Sequence, residues 1–461
     1  MAKGGGISGR LVAVKVLKKF ESAKKDASDI LTEYISQTAE RGKATDIVFG
    51  VIRQKVLIDS LLEKFGNVHP ERVKPELLNI LRVGVYELVY CPSTVDYAIV
   101  NEAVALSGRS GGKKQRGFAN AVLRNICRAI ENRAVESFGP DVCIVPQVGD
   151  FGCKFKEAVL PDAKSDQVGY LSNAFSLPKW LVREWVDEFG FEKALQVCFA
   201  SNRRCGVYLQ PNTLKIDAGG LLGELNEKTS GQEGFELVFD SNMIRAAGGG
   251  EVSSFAGYAE GLFTVQDPTA AAAVELFAPV AGEVIVDLCS APGGKTIRMA
   301  QLMGGQGQIY AADIDESRLI RVADNCRRLG IDCVEVVGVD KLDQVLEGVQ
   351  VDAVLADVPC SNSGVLARRC EVRHRIKKDF IEQLVDKQLE LLEKAAGLVS
   401  KGGRVCYSTC SIMPQENRAV VDMFLARHGS FEFVCERLTL PGFTDGKTDF
   451  DGGYIAVIKH K

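Results

Sequence analysis

Two cysteines stand where a sequence can do covalent chemistry. Cys410 lies in "YSTCSIMPQEN" (Tyr407 to Asn417) and Cys360 in "LADVPCSNSG" (Leu355 to Gly364), each just after a short apolar run that reads as a buried strand. A thiolate at a strand end, followed by the N–H groups of a turn that lower its pKa, suits nucleophilic catalysis. Pro359 and Pro414 restrict the backbone beside them. One acceptor that needs such help is C5 of a pyrimidine, which attacks a methyl sulfonium only after a nucleophile has added to C6. That site requires a thiolate, an acid near N3 and a base to take the C5 proton. Taken singly, either cysteine reads equally well as a small buried hydrophobe.

A third stretch, "DLCSAPGGKT" (Asp287 to Thr296), ends another apolar strand and admits three readings. A Walker A loop needs G-x-x-x-x-G-K-[ST]; Gly294, Lys295 and Thr296 supply its end, but Cys289 stands at the first glycine and Pro292 sits inside. A dinucleotide fingerprint, G-x-G-x-x-G, is absent. An S-adenosylmethionine pocket needs close backbone approach rather than a phosphate cradle, which Gly293 and Gly294 permit. It also needs an acid for the ribose hydroxyls, and Asp313 in "YAADID" follows at about the expected 20 residues. Asp340 in "VGVD" and Asp357 in "LADVP" end the next two strands. Each acid alone is explained as a turn or helix-cap residue; three acids at successive strand ends facing one crevice point to a ligand.

These residues require a parallel sheet to hold them. From residue 266 short apolar strands ("EVIVDL", "QIYAAD", "CVEVVG", "DAVLAD", "GRVCYS") alternate with amphipathic helices. That pattern predicts a doubly wound α/β domain with both sheet faces covered. "SFEFVCERL" and "GGYIAVIK" are spaced for an antiparallel pair on its edge. Residues 1–135 predict an all-α bundle, 136–175 a linker with local structure, and 176–265 a small α+β subdomain. "GRSGGKKQRG" reads as a Gly-rich basic loop whose Arg109, Lys113, Lys114 and Arg116 are either solvated or contacts for phosphate.

Composition narrows the class. The 461 residues are 46% hydrophobic and 25% charged, an ordinary globular balance with no uninterrupted membrane-length apolar run. The first residues hold no apolar segment of signal-peptide length, so a cytoplasmic, reducing setting is expected for the 14 cysteines. No C-x-x-C pair and only 4 histidines argue against a metal centre. The net charge of −4 leaves room only for local basic patches. Arg368, Arg369, Arg373, Arg375, Lys377 and Lys378 form one such cluster, read here as a phosphate-binding face for RNA.

"DLCSAPGGKT", "DVPCSNSG" and "YSTCSIMPQEN" together closely resemble the RNA 5-methylcytosine methyltransferases of the Sun family. "FGVIRQKVLIDSLL", "LRVGVYELVY" and "GFANAVLRNICR" resemble the NusB-like RNA-binding domain, a pairing that points to the RsmB branch acting on 16S ribosomal RNA. The resemblance implies a Rossmann-like methyltransferase domain (266–461), an RRM-like subdomain (176–265) and a NusB-like bundle (1–135). It implies S-adenosylmethionine as cofactor, ribosomal RNA or an assembling small subunit as partner, no membrane, no metal and a monomer. By the same resemblance Cys410 is the nucleophile on C6 and Cys360 assists release. Cys289, Ser290, Ala291, Pro292, Gly293, Gly294 and Lys295 line the cofactor, Asp313 holds the ribose, and Asp340 and Asp357 complete the cofactor side. Asp357 or Lys295 also faces the base. An inactive RNA-binding paralogue of the same fold is the alternative, opposed by retention of both cysteines. The chain departs from the family pattern at Asn362, Cys370, Arg373, His374, Val339 (with Asp340 one place late) and Gly453.

Overall fold

The computed structural model describes residues 7–23, 25–137, 139–228, 234–238, 242–247, 251–444 and 448–461. The chain forms two compact units, the first covering residues up to 203 with 369–375, the second 204–368 with 376–461.

The first unit begins with helices α1 (Gly9–Ser22), α2 (Ala27–Tyr34), α3 (Arg41–Arg53), α4 (Lys55–Gly66), α5 (Pro75–Tyr90) and α6 (Asp96–Ala129). Apolar residues at helical spacing fill its core: Val12 and Val16 of α1, Ile47 and Val51 of α3, Leu81 and Val85 of α5, and Leu123 and Ile126 of α6 are all buried. The "Gly-rich basic loop" is not a loop. Residues 108–117 continue α6, and only Gly112 leaves helical geometry (φ 65°, ψ −154°). Lysine, glutamine and arginine favour helix and no proline intervenes, so helical segments continue on both sides of a break at Gly112. An antiparallel sheet, β1 (Ile130–Glu136), β2 (Ile144–Pro146) and β3 (Phe151–Phe155), in the order β1-β3-β2, takes the end of the stretch expected to be all-α and the first half of the expected linker. Helices α7 (Gln167–Ala174), α8 (Lys179–Phe189) and α9 (Phe191–Asn202) follow.

Residues 369–375 also belong to this unit, which corrects the expected basic face. Arg373 is 2% exposed and donates to the carbonyls of Arg53, Phe175, Ser201 and Cys370 and to Asn202 Oδ1. His374 Nε2 lies 2.7 Å from the Ile52 carbonyl oxygen, and Arg375 pairs with Asp26 at 2.8 Å. Arg368, in the second unit, bridges Asp267 (2.9 Å) and Asp451 (2.6 Å). A run of cations in sequence is thus divided among separate structural partners.

The second unit opens with β4 (Val207–Pro211), α10 (Ala218–Lys228), β5 (Phe235–Val238), β6 (Met243–Ala246) and β7 (Phe263–Val265), a four-stranded antiparallel sheet ordered β5-β6-β4-β7. The main sheet follows: α11 (Pro268–Phe277), β8 (Val284–Leu288), α12 (Gly294–Leu302), β9 (Gln308–Asp313), α13 (Glu316–Leu329), β10 (Val334–Gly338), α14 (Leu342–Val345), β11 (Ala353–Asp357), α15 (Lys378–Leu398), β12 (Arg404–Thr409), α16 (Arg418–Arg427), β13 (Phe431–Thr439), the hairpin β14 (Gly442–Thr444) and β15 (Thr448–Phe450), and β16 (Gly453–His460). Its order is β10-β9-β8-β11-β12-β16-β13. The first five strands are parallel; β16 runs antiparallel and slots between β12 and β13.

Strand side chains alternate between the two faces. Val286, Val354, Val405 and Tyr407 pack with Leu389, Leu392 and Phe424 of α15 and α16. Ile285, Leu355 and Cys406 pack with Val274, Ile297 and Val322 of α11, α12 and α13 on the other face. With both faces covered, the ligand edge lies at the carboxyl ends of the strands, where the order reverses between β8 and β11.

Candidate active site

The loop after β8 forms one half of the site. Gly293 has φ +103°, and a Cβ there would lie 3.2 Å from Val322 Cγ1, so the turn into α12 requires glycine. The backbone folds back on β9: Ser290 N donates to Ala312 O (2.9 Å) and Ala291 N to Asp313 Oδ2 (3.2 Å). Asp313 Oδ1 accepts from Asp315 N at 3.0 Å, which fixes the carboxylate at the strand end with one further lone pair on each oxygen. Ile314 beside it is 87% exposed, an apolar surface next to this carboxylate. Asp340 is exposed in the turn after β10, whose last residue Gly338 pairs with Asp313.

The loop also carries polar atoms lacking partners. Ser290 Oγ is buried with no hydrogen bond among the described residues, and so are both ends of the Gln266 amide, which lies against Gly294. Buried orphans of this kind await a polar ligand. Gln266 was not singled out from the sequence, because a lone glutamine before a helix carries no pattern.

Asp287 was missed for a similar reason. It sits inside β8, fully buried, with Oδ2 accepting from Thr296 Oγ1 at 2.6 Å and Oδ1 unpartnered among the described residues. Burial pushes its carboxyl up to about 7, against the lowering effect of the Thr296 hydrogen bond. Because the folded-state value is raised, this group's stabilising contribution is complete below the unfolded carboxylate range. It is lost as pH rises through about 7. Asp287→Asn keeps an acceptor for Thr296 and cannot ionise. The melting temperature of the variant minus that of the parent should therefore climb between about pH 4 and pH 7, by a free energy on the order of 4 kcal/mol at most. A flat difference across that range would refute the assignment.

The other half of the site is built from the ends of β11 and β12. Register pairs Asp357 with Ser408 and Thr409 with Tyr454. Cys360 Sγ and Cys410 Sγ lie 3.1 Å apart. Cys410 Sγ also lies 3.2 Å from Asn362 Oδ1, which accepts from the thiol. Asn362 has φ +61°, a left-handed conformation that asparagine tolerates, and its Nδ2 donates to Cys360 O at 2.9 Å. The two loops touch through glycine: Gly364 N donates to Cys410 O (3.0 Å), Gly452 N to Gly364 O (2.8 Å), and a Cβ on Gly364 would meet the Gly452 backbone at 2.7 Å.

Lys295 Nζ pairs with Asp357 Oδ2 at 2.7 Å. Burial lowers the lysine pKa, but the Asp357 carboxylate outweighs it and the net shift is upward, so the ammonium stays charged. Cys289 is pushed up to about 12 by burial, which leaves it a thiol at neutral pH. Cys360 lies well above the usual thiol range, chiefly through its hydrogen bond with Cys410 and then through burial. A pocket beside Cys410 is lined by Thr269, Ala273, Lys295, Gly453 and Ile455 among others, so the departure at Gly453 leaves room next to the sulfur.

The sheet order, the β8–α12 glycine turn and the acid ending β9 define a Rossmann-like S-adenosylmethionine-dependent methyltransferase. Residues 274–449 match the family described as 16S rRNA methyltransferase RsmB/F, and residues 8–128 match the NusB family. A probable ribosomal RNA small subunit methyltransferase B from Bacillus subtilis is 30% identical over 92% of this chain and 89% of its own length. The protein of the same description from Synechocystis is 31% identical, over 91% and 88%. Among solved structures, a methyltransferase homolog protein from Pyrococcus horikoshii aligns with 66% of this chain and all of its own at a TM-score of 0.54 and 26% identity. The chain belongs to the RsmB/F family of 16S rRNA methyltransferases.

The residues present fit the cofactor. Ser290 Oγ and the Gln266 amide offer unused polar atoms, Asp313 keeps acceptor capacity for ribose hydroxyls, and Gly293 and Gly294 leave the backbone open to close approach. When bound, the cofactor supplies an electrophilic methyl group. Among the described residues no cluster of metal-ligating side chains occurs and no helix is long and apolar enough to cross a membrane.

Proposed function

We propose that this chain methylates C5 of a cytosine in small-subunit ribosomal RNA, in the cytoplasm, through a covalent bond between Cys410 and C6 of the base. The observation that carries the reading is the pair of thiols 3.1 Å apart at adjacent strand ends, in one half-site with the Lys295–Asp357 pair. The Cys410 thiol gives up its proton as its sulfur adds to C6 and N3 takes one up, which makes C5 an enamine carbon able to accept the methyl group. A base then takes the C5 proton, the C6–S bond breaks, N3 gives its proton back, and Cys410 leaves as thiolate.

Cys360 suits the base role for a reason internal to the pair. Its thiol is held neutral chiefly by the hydrogen bond with Cys410. Once Cys410 is bonded to C6 its sulfur no longer shares a thiol proton with Cys360, which removes one of the influences that raise the Cys360 thiol while burial remains. Asn362 Oδ1 accepts a hydrogen bond from the Cys410 thiol in the resting state and keeps the sulfur aimed. Asp357 and Lys295, mutually neutralised, offer an acceptor and a donor to the base edge. The test is direct: incubation with labelled S-adenosylmethionine and small-subunit rRNA, followed by bisulfite sequencing, should give one protected cytosine. Labelled RNA without a protected cytosine would reject C5 as the target.

RNA contact also involves α6. Arg109, Lys113, Lys114, Arg116, Arg124 and Arg128 are exposed on it, with no acidic residue between Glu102 and Glu131. Replacing Lys113, Lys114 and Arg116 by alanine should weaken rRNA binding and reduce the slope of log affinity against log salt by about 2 to 3, the counterion release of three phosphate contacts. An unchanged slope would assign these cations to solvent.

A further inference from the structure

Behind the two cysteines lies a buried polar network that the chemistry above does not use. At its centre is Glu416, fully buried in the "PQEN" turn after Cys410. Its Oε1 accepts from Ser361 N (2.7 Å) and Gln388 Nε2 (3.0 Å). Its Oε2 accepts from the hydroxyls of Ser361 and Ser411. Ser361 directly follows Cys360 and Ser411 directly follows Cys410, so one carboxylate holds both cysteine loops by their next residues. The relay continues outward: Ser411 Oγ contacts Ser363 Oγ (2.9 Å) and accepts from Met413 N (3.0 Å), and Ser363 Oγ accepts from Ile412 N (3.0 Å).

The two loops depend on Glu416 unequally. Two of its four donors come from Ser361 and one from Ser411; the Cys410 loop is also held by Thr409 Oγ1 donating to Asn417 Oδ1 (2.7 Å) and Asn417 Nδ2 to Ser411 O (3.0 Å), and the Cys360 loop by Asn362 Nδ2 donating to Cys360 O (2.9 Å). On the Cys360 side, Oε1 serves that loop alone. Gln388, from α15, donates to both Pro359 O (3.0 Å) and Oε1, and so clamps the residue before Cys360 as Ser361 clamps the residue after it. A fully buried carboxylate taking four donors is a rigid fixed point, because each donor would be left unsatisfied if it moved.

We infer that Glu416, with Gln388, is a positioning residue that sets Cys360 against Cys410 and thereby governs release of the methylated RNA rather than attack on it. The inference rests on the covalent reading proposed above. It has a consequence that a merely structural role lacks: loosening Glu416 should leave the first half of the reaction working and stall the second.

The experiment uses the full chain, a small-subunit rRNA fragment and labelled S-adenosylmethionine, with Glu416→Gln, Gln388→Leu and Cys360→Ala in parallel. Glu416→Gln should lower kcat about 100-fold, the scale of a misplacement of about 1 Å. The KM for the cofactor should stay within about twofold of the parent, and an RNA adduct that survives denaturation should accumulate. Gln388→Leu should show the same pattern at about a tenfold loss, and it decides the matter if Glu416→Gln does not fold. An unchanged kcat, or a loss of rate, cofactor affinity and melting temperature together without adduct, would overturn the positioning role. Cys360→Ala separates the two levels. If it traps no adduct, the covalent reading fails. If it traps adduct while the Glu416 and Gln388 variants do not, only the present inference fails.

Discussion

Cys360→Ala is expected to convert the enzyme into a trap: a labelled rRNA fragment should migrate with the protein on a denaturing gel, while turnover falls by about 10²- to 10⁴-fold, the usual worth of a positioned general base. In the covalent mechanism proposed above the bonds form and break in a fixed order. Attack needs the Cys410 sulfur, whose neighbour Asn362 lies 3.2 Å away and is untouched by the substitution. Methyl transfer needs only the enamine that attack creates. Release alone needs a base at C5, and the thiol 3.1 Å from Cys410 is the group removed. Cys410→Ala should behave oppositely, with neither product nor adduct, and the double variant should resemble Cys410→Ala. An adduct persisting in the double variant would mean that another residue is the nucleophile. Burial disfavours Cys289 for that part by keeping it a thiol at neutral pH.

The sequence made the sheet and the strand-end residues legible because both rest on short-range rules. Strands covered on two faces are almost wholly apolar, and the candidate residues sit where those runs stop, so the position of Cys360, Cys410, Asp313 and the 289–295 loop at one sheet edge is legible in the sequence. What stayed hidden depends on long-range partners. The insertion of β16 between β12 and β13 is a matter of pairing, and "GGYIAVIK" reads the same at the edge or one place in. Glu416 looks like one acid in a turn until Ser361 and Gln388 arrive from distant parts of the chain. Asp287 reads as a strand-end acid until full burial shifts its carboxyl. The cation run 368–378 misled most, because charge in sequence says nothing of what each guanidinium will meet.

The same cluster gives the largest expected effect on stability. Arg373→Ala should lower the unfolding free energy of the first unit by about 4 kcal/mol, because it takes the donor away from several buried carbonyls at once. The guanidinium donates to four carbonyls and one side-chain amide oxygen, drawn from α3, from the end of α7, from α9 and from its own turn. Only a planar fork with five donors can reach so many acceptors at once, so Arg373→Lys should recover little of the loss: its ammonium is a compact point with three donors. Lys377→Ala, at an exposed position four residues on, provides the contrast and should fall within about 0.5 kcal/mol of the parent. Urea titration of the full chain, followed by a probe in the first unit such as Trp185 fluorescence, measures all three. Near-parental stability of Arg373→Ala would return Arg373 to the surface and restore the phosphate-binding reading of the run. A large loss that lysine does not rescue would identify it as the fastening that incorporates residues 369–375 into the helical unit.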